Sequence, residues 1–207
     1  MLHQLKAMTM GEPNEALLKE LIDQQVPLPI ALSRIAALHT ASTEVHEPLR
    51  GEVVFADEHY FPHPLDVEPL LLFFLQQLHG LWESSTSIED DLHIATFAMF
   101  GVLAIHPFTN GNGRTSQDFA QYLLMRRWEL DAPPLQLPKE AYNRLAHAFA
   151  NQTVHCDGQS PEAFYALRQS LSELFDKTTL ASLKQNDSFA LVADYLKQTI
   201  YIETDED

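Results

Sequence analysis

The sequence has little cysteine, little positive charge and no long apolar run. Its single cysteine, Cys156, cannot form an internal disulfide and has no second thiol for a zinc site, which is typical of a reducing compartment. The longest apolar stretch, over residues 94–105, is shorter than the roughly 18 to 20 residues that a membrane-spanning helix needs. Residues 1–7 lack the pattern of a secretory signal. We therefore expect a cytoplasmic protein with no membrane partner.

Acidic residues outnumber basic ones by 29 to 13, which gives a formal net charge of −16. Such a charge repels DNA, RNA and anionic membrane surfaces, so nucleic-acid binding is not expected. A nucleotide is also an anion. Its site in this chain would need a local source of positive potential, such as backbone N–H groups with arginines, or a divalent metal.

Apolar residues at helical spacing extend over most of the chain and predict an all-α fold of about six to nine helices. The predicted helices cover residues 14–25, 27–40, 66–82, 88–105, 115–128, 139–150 and 160–176, and a C-terminal amphipathic helix covers 180–202. The helix over 88–105 is apolar on nearly every face, which places it at the centre of the fold. Residues 52–61, bounded by prolines and a glycine, predict a small β-hairpin or flap.

A glycine-rich turn joins the central helix to the next one. His106 and Pro107 end the first helix, Gly111 and Gly113 lie in the turn, and Arg114 lies at the first turn of the second helix. A helix N-terminus after such a turn offers unpaired N–H groups and about half a positive charge to a phosphate, and arginine adds a planar fork. Histidine can take a proton from an attacking hydroxyl. This combination predicts a phosphoryl- or nucleotidyl-transfer site.

The turn also carries a family resemblance, because it is similar to the signature of Fic and death-on-curing (Doc) proteins. In that signature His-Pro-Phe is followed by a variable residue, an acid, Gly-Asn-Gly-Arg and a second arginine three positions later. The matching residues are His106-Pro107-Phe108-Thr109-Asn110-Gly111-Asn112-Gly113-Arg114. The resemblance covers about residues 27–176 and implies a Fic-type helical bundle with a small β-hairpin flap.

The resemblance implies a role for each residue of the turn. His106 would be the general base for a hydroxyl of a target protein. Gly111, Asn112 and Gly113 would line the hole for the α- and β-phosphates, and Arg114 would hold the distal phosphates.

Two positions depart from the signature. Asn110 replaces the acid that holds Mg²⁺, so its ligand would be a neutral carbonyl oxygen. Gln117 replaces the second arginine, so the terminal phosphate would lose a charge-assisted partner.

The resemblance also implies a segment that docks the target. The flap residues Val53, Val54 and Phe55 would pin an extended target peptide by strand addition.

The implied activity is AMPylation, the transfer of AMP from ATP with Mg²⁺ to a serine, threonine or tyrosine of a target protein. The alternatives are a degenerate Fic-like nucleotide-binding or regulatory module, and transfer of another phosphate-containing group. The expected organisation is an N-terminal helical extension over 1–26, a Fic domain over 27–176, and a C-terminal helix with an acidic tail over 177–207. The target protein, the donor nucleotide and a homo-oligomeric state stay open.

Overall fold

A computed structural model describes residues 49–56, 59–128, 137–138, 140–141, 143–145 and 160–201. The predicted helices over 14–25 and 27–40, Cys156 and the acidic tail over 203–207 lie outside these residues. The elements are β1 Phe55–Ala56, β2 His59–Tyr60, α1 Pro64–Ser84, α2 Ile88–Ile105, α3 Asn112–Trp128, α4 Pro161–Lys177, α5 Leu180–Gln185 and α6 Asp187–Tyr201. The described part of the chain is thus mostly helical, as the sequence predicts, and none of its helices is long and apolar enough to cross a membrane.

Local capping contacts set where the helices begin. Helix α2 has the predicted bounds, and the hydroxyl of Ser87 accepts a hydrogen bond from the Asp90 N–H at 3.1 Å. Helix α1 begins at Pro64, because the His63 ring accepts from the N–H of Leu65 and proline suits the first helical position.

The single C-terminal helix predicted over 180–202 is wrong, since the structure divides this segment into α5 and α6. Asn186 lies between them with an extended backbone, and its side-chain oxygen accepts hydrogen bonds from the N–H groups of Ser188 and Phe189. An asparagine that caps a new helix in this way competes with continuation of the old one. The amphipathic periodicity continues across this break, which is why the pattern does not reveal it.

Helix α2 forms the centre of the molecule and contacts α1, α3, α5 and α6. Its residues from Asp90 to Ile105 are all buried. The sequence predicts a core role for the aromatic stripe of α2 and α3, and this is confirmed for Phe97, Phe100 and Phe119. Aromatic rings from four helices meet here in tilted or edge-to-face pairs, namely Phe74, Phe97, Phe100, Phe175 and Phe189. The helix that ends at the glycine-rich turn is therefore held from several sides.

An ion pair between the exposed Lys184 and the buried Asp90 ties α5 to the start of α2. The Lys184 ammonium lies 2.6 Å from the carboxylate of Asp90, whose side chain is 7% exposed. The hydrogen bond from Lys184, with further bonds from Thr86 and Ser87, holds the pKa of Asp90 well below its usual range. The acid also lies in the first turn of α2, where the helix dipole favours negative charge.

The two strands are short and pair antiparallel, with Phe55 opposite Tyr60 and Ala56 opposite His59. They form a two-stranded sheet just before α1. The N–H of Phe61 donates to the carbonyl of Val54 at 3.3 Å and extends the pairing.

Close approach of α1 and α2 requires glycine at position 101. A Cβ at Gly101 would overlap the ring of Phe74, which is fully buried and packs in the core. We predict that Gly101→Ala lowers the free energy of unfolding by about 1 to 3 kcal/mol, because the clash exceeds the gain in helix propensity.

Gly80→Ala is the matched control, since this glycine lies on the exposed face of α1 with nothing within 4 Å of a new Cβ. It should stabilise the protein by about 0.5 to 1 kcal/mol. Urea unfolding of both variants measures the difference, and equal effects of the same sign would contradict the packing account.

Candidate active site

His106 ends α2 in a left-handed backbone conformation, with φ 52° and ψ 60°. Its N–H donates to the carbonyl of Val102 at 2.9 Å and closes the last helical turn. A residue with a β-carbon adopts this conformation at a cost of about 1 to 2 kcal/mol. The contacts that surround His106 must therefore offset that cost.

Arg50, only 4% exposed, supplies one of these contacts and also bonds to the next residue. Its Nε donates to the carbonyl of His106 at 2.7 Å, and its backbone N–H donates to the carbonyl of Pro107 at 2.9 Å. The two terminal nitrogens donate to the carbonyls of Glu52 and Pro62, on either side of the strand pair. One guanidinium thus connects the end of α2 with both ends of the segment that contains β1 and β2.

The imidazole of His106 stacks on the ring of Phe61, with centroids 3.8 Å apart and planes inclined by 21°. Burial and, to a smaller extent, the positive charge of Arg50 together lower the pKa of His106 to about 4, against a backbone hydrogen bond with Leu103 that raises it. The imidazole is consequently neutral at pH 7. In this state it can accept a proton.

The turn after His106 is closed by a clip between two of its own residues. The side-chain amide of Asn112 donates to the carbonyl of Phe108 at 2.7 Å and accepts from its N–H at 3.0 Å. The Phe108 side chain is fully buried and anchors the turn in the core, and Asn112 is 2% exposed. The Asn112 side chain is therefore engaged within the turn.

Helix α3 begins at Asn112, three residues before the predicted start, because the clip brings that residue into helical geometry. Gly111 has a φ of 79°, which suits glycine, and its carbonyl accepts from the Thr115 N–H at 3.0 Å. The N–H groups of Gly113 and Arg114 therefore belong to the first helical turn, where backbone donors have no partner within the helix. This is a suitable seat for a phosphate group.

Arg114 and Gln117 lie three positions apart on α3 and so occupy the same face of the helix. Arg114 is exposed and Gln117 is half-buried. Both side chains begin within about 8 Å of the helix start along its axis, given a rise of about 1.5 Å per residue. The sequence-predicted phosphate residues from 111 to 117 are thus grouped at one helix end.

Asn110 is exposed, and its side-chain oxygen accepts a hydrogen bond from the Gly111 N–H at 2.7 Å. Mg²⁺ prefers carboxylate and phosphate oxygens, and an amide oxygen already in a hydrogen bond is a weak ligand. In the part of the chain that the structure describes, no group of three or more histidine, cysteine or acidic residues could hold a metal ion. The protein residues at this turn therefore fit a resident metal poorly.

The three flap residues have different surroundings. Val54 packs against the core, and Phe55 is 64% exposed with its ring near Tyr60. Val53 is half-buried and lines a cavity of about 390 Å³ together with His63, Leu65, Asp66, Pro161, Phe164, Tyr165 and Arg168. The flap connects to His106 through Phe61 and Arg50 and not through these three residues.

Sequence reasoning missed two residues that contact His106, namely Arg50 and Phe61. An arginine next to a glycine, in a chain with few basic residues, is the signal that could have drawn attention to Arg50. Two of its partners, the carbonyls of Ile105 and His106, lie 55 and 56 positions further along the chain, which no local pattern indicates.

The low pKa of His106 predicts a specific pH dependence of stability. Below the usual pKa of 6.5 the unfolded chain takes up a proton that the folded protein refuses until about pH 4, so stability falls as pH falls through this range. Between pH 7 and 5 the wild type should lose about 2 kcal/mol more than His106→Asn, which has no such group. Urea unfolding at the two pH values measures this, and equal losses would contradict it.

Residues 29–124 match the Fic/DOC family model. Among curated relatives, "Protein adenylyltransferase Fic" of Drosophila persimilis is 31% identical over 125 residues, which cover 58% of this chain and 23% of the relative. The proteins of the same name from Drosophila virilis and Drosophila grimshawi are each 32% identical over 125 residues and 58% of this chain, covering 24% and 25% of those relatives. The chain thus spans about a quarter of the length of these relatives. Through residues 29–124, the chain is similar to the Fic/DOC family.

Proposed function

We propose that the chain transfers AMP from ATP to a serine, threonine or tyrosine hydroxyl of another protein. The observation that supports this most is a neutral, half-buried imidazole at the end of α2, separated from the N-terminus of α3 only by residues 107–111. A proton acceptor and an anion seat on one short turn match what nucleotidyl transfer needs. The adenylyltransferase relatives make AMP the first donor group to test.

In the proposed reaction the target hydroxyl attacks the α-phosphorus in line with the leaving pyrophosphate. His106 takes the hydroxyl proton, and the N–H groups of Gly113 and Arg114 stabilise the negative charge on the α-phosphate oxygens. The Arg114 side chain, with Gln117 beside it, holds the departing phosphates. ATP would enter as its Mg²⁺ complex, and the Asn110 side-chain oxygen would add only a weak protein ligand to the ion that ATP brings.

A pKa of about 4 makes the His106 imidazole a weak base in the free protein. A polyphosphate seated next to it would offset the field of Arg50, because nearby negative charge stabilises the imidazolium. We therefore expect nucleotide binding to raise the pKa of His106 toward neutrality.

The flap is the proposed docking edge for the target. Within the described residues β1 pairs on one side with β2, so its other edge is available to an added strand. Phe55 projects from this strand with most of its surface exposed. An extended target segment on this edge would be positioned by backbone hydrogen bonds. We assign this flap and the turn to a Fic domain over 27–176, preceded by an extension over 1–26 and followed by 177–207.

A second candidate function is nucleotide binding with little turnover, and two residues favour it. Asn110 brings no negative charge to Mg²⁺, and Gln117 brings no positive charge to the terminal phosphate. The same two residues also leave room for a donor other than ATP. A binding module would leave every protein unlabelled, whereas transfer from ATP or from another donor would put a labelled group on a protein.

We predict that the wild type transfers label from α-labelled ATP to itself or to a protein in a lysate, and that His106→Asn lowers the rate by about 100-fold or more. Asparagine is the informative replacement because it tolerates the left-handed backbone that His106 adopts. Nucleotide binding, measured by calorimetry, should change little, since the phosphate seat lies on α3.

Two results would oppose the proposal. Equal transfer rates for the wild type and His106→Asn would show that His106 takes no part in the reaction. ATP binding by the wild type with no label transferred from ATP, CTP, GTP or UTP would favour the binding module.

Restoring the family residues should raise activity toward ATP. We predict that Asn110→Asp with Gln117→Arg increases the transfer rate by about tenfold, because it adds a metal ligand and a partner for the terminal phosphate. The matched control is Asn110→Asp with Gln121→Arg, which adds the same charges but places the arginine about one helical turn further from the phosphate seat. Similar rates for the two double variants would show that position 117 has no special part.

A further inference from the structure

We propose that Arg50 is a positioning residue for the reaction: it fixes His106 in its left-handed backbone and locks the base of the flap to the catalytic turn. The proposal rests on the role of His106 as the base given above. It adds a residue that lies outside the family signature over 106–114 and that contacts neither the phosphate seat nor the docking strand in the scheme above.

The geometry of the guanidinium carries the proposal. Its Nε lies 2.7 Å from the carbonyl of His106, and one terminal nitrogen also lies 3.5 Å from the carbonyl of Ile105. These carbonyls end α2, where the last C=O groups have no partner within the helix and carry its negative partial charge. A cation at this point both pairs them and stabilises the helix end. The left-handed turn at His106 is thereby held by a side chain from another segment.

The other side of the same guanidinium holds the flap base. Bonds to the carbonyls of Glu52 and Pro62 connect positions on either side of β1 and β2. Only a planar fork with several donors can reach all these acceptors at once, and lysine offers a single point of charge. Docking at the flap and the orientation of His106 are therefore linked through one side chain.

The charge of Arg50 acts on the His106 ring as well as on its backbone. The partners that the described residues provide for the guanidinium are backbone carbonyls, which do not cancel its charge. Around the ring, Phe61 from the flap and Leu103 from α2 are uncharged, and Arg50 is the charged group that acts on it. Arg114 lies at the other end of the turn with its side chain exposed. Arg50 therefore favours the neutral imidazole that the reaction needs.

The first test uses the wild type without nucleotide. The Arg50 Nε–H should give an NMR signal that exchanges with water at least about tenfold more slowly than that of the exposed Arg168, because it is buried and bonded to a carbonyl. Arg50→Lys identifies the signal by its loss. Exchange as fast as that of Arg168 would overturn the proposal even if no Arg50 variant folded well.

The second test follows the His106 ring through a pH titration by NMR, with His106→Asn to assign its signal. Arg50→Gln should raise the midpoint by about one pH unit or more, and Arg50→Lys should return most of that change because it restores the charge. Arg168→Gln, which removes an equal charge from an exposed ion pair, is the control and should leave the midpoint in place. A folded Arg50→Gln with the wild-type midpoint would overturn the proposal.

Kinetics add a third test, because a merely structural role of Arg50 would not produce the expected split between kcat and KM. Arg50→Lys should lower kcat for transfer by about tenfold and leave KM for ATP within about twofold, because the base is misplaced and the phosphate seat is intact. A rise in KM with kcat unchanged would overturn the positioning role. Neither NMR test needs nucleotide or turnover, so failure of the proposed activity and failure of the Arg50 proposal are separately visible.

Discussion

The hydrogen bonds from the buried Arg50 guanidinium to the carbonyls at the end of α2 are the contact on which the arrangement of this site depends. A helix that ends in the interior leaves carbonyl groups without partners, and a residue with a β-carbon in the left-handed conformation adds strain. One arginine offsets both costs. The same side chain bonds to the flap base, so one buried guanidinium connects the central helix, the turn and the flap.

The strongly acidic composition makes local sources of positive potential important. The first turn of α3 supplies backbone N–H groups, Arg114 supplies an exposed guanidinium, and Arg50 supplies a buried one. Their effects differ because their surroundings differ. An exposed charge is screened by water and salt, whereas a buried charge acts strongly on its neighbours. Arg50 can therefore shape the protonation of His106, while Arg114 is free to contact a ligand.

The sequence predicts features that arise from nearby residues. The bounds of α2 follow from its apolar run and from Ser87, and the burial of Phe97 and Phe100 follows from their spacing. The break at Asn186 also arises from nearby residues. A single polar residue within a continuing amphipathic pattern can either cap a new helix or face the solvent, so the sequence alone does not reveal that Asn186 is a cap. The partners of Arg50 are invisible to any such pattern, because the three-dimensional fold alone brings a carbonyl 56 positions away into contact. The sequence therefore predicts the residues of the turn but not the role of Arg50, which holds the turn in place.

The clip between Asn112 and Phe108 closes within five residues and uses only the amide side chain and one residue's backbone. A shape made by such short-range bonds is modular: it would persist if the segment were grafted between the helices of an unrelated bundle with a pocket for the phenylalanine. The orientation of the imidazole would not travel with it, since its support comes from a distant part of the chain. The shape of the turn is in this sense a portable property, whereas the orientation of the imidazole is a property of the whole fold.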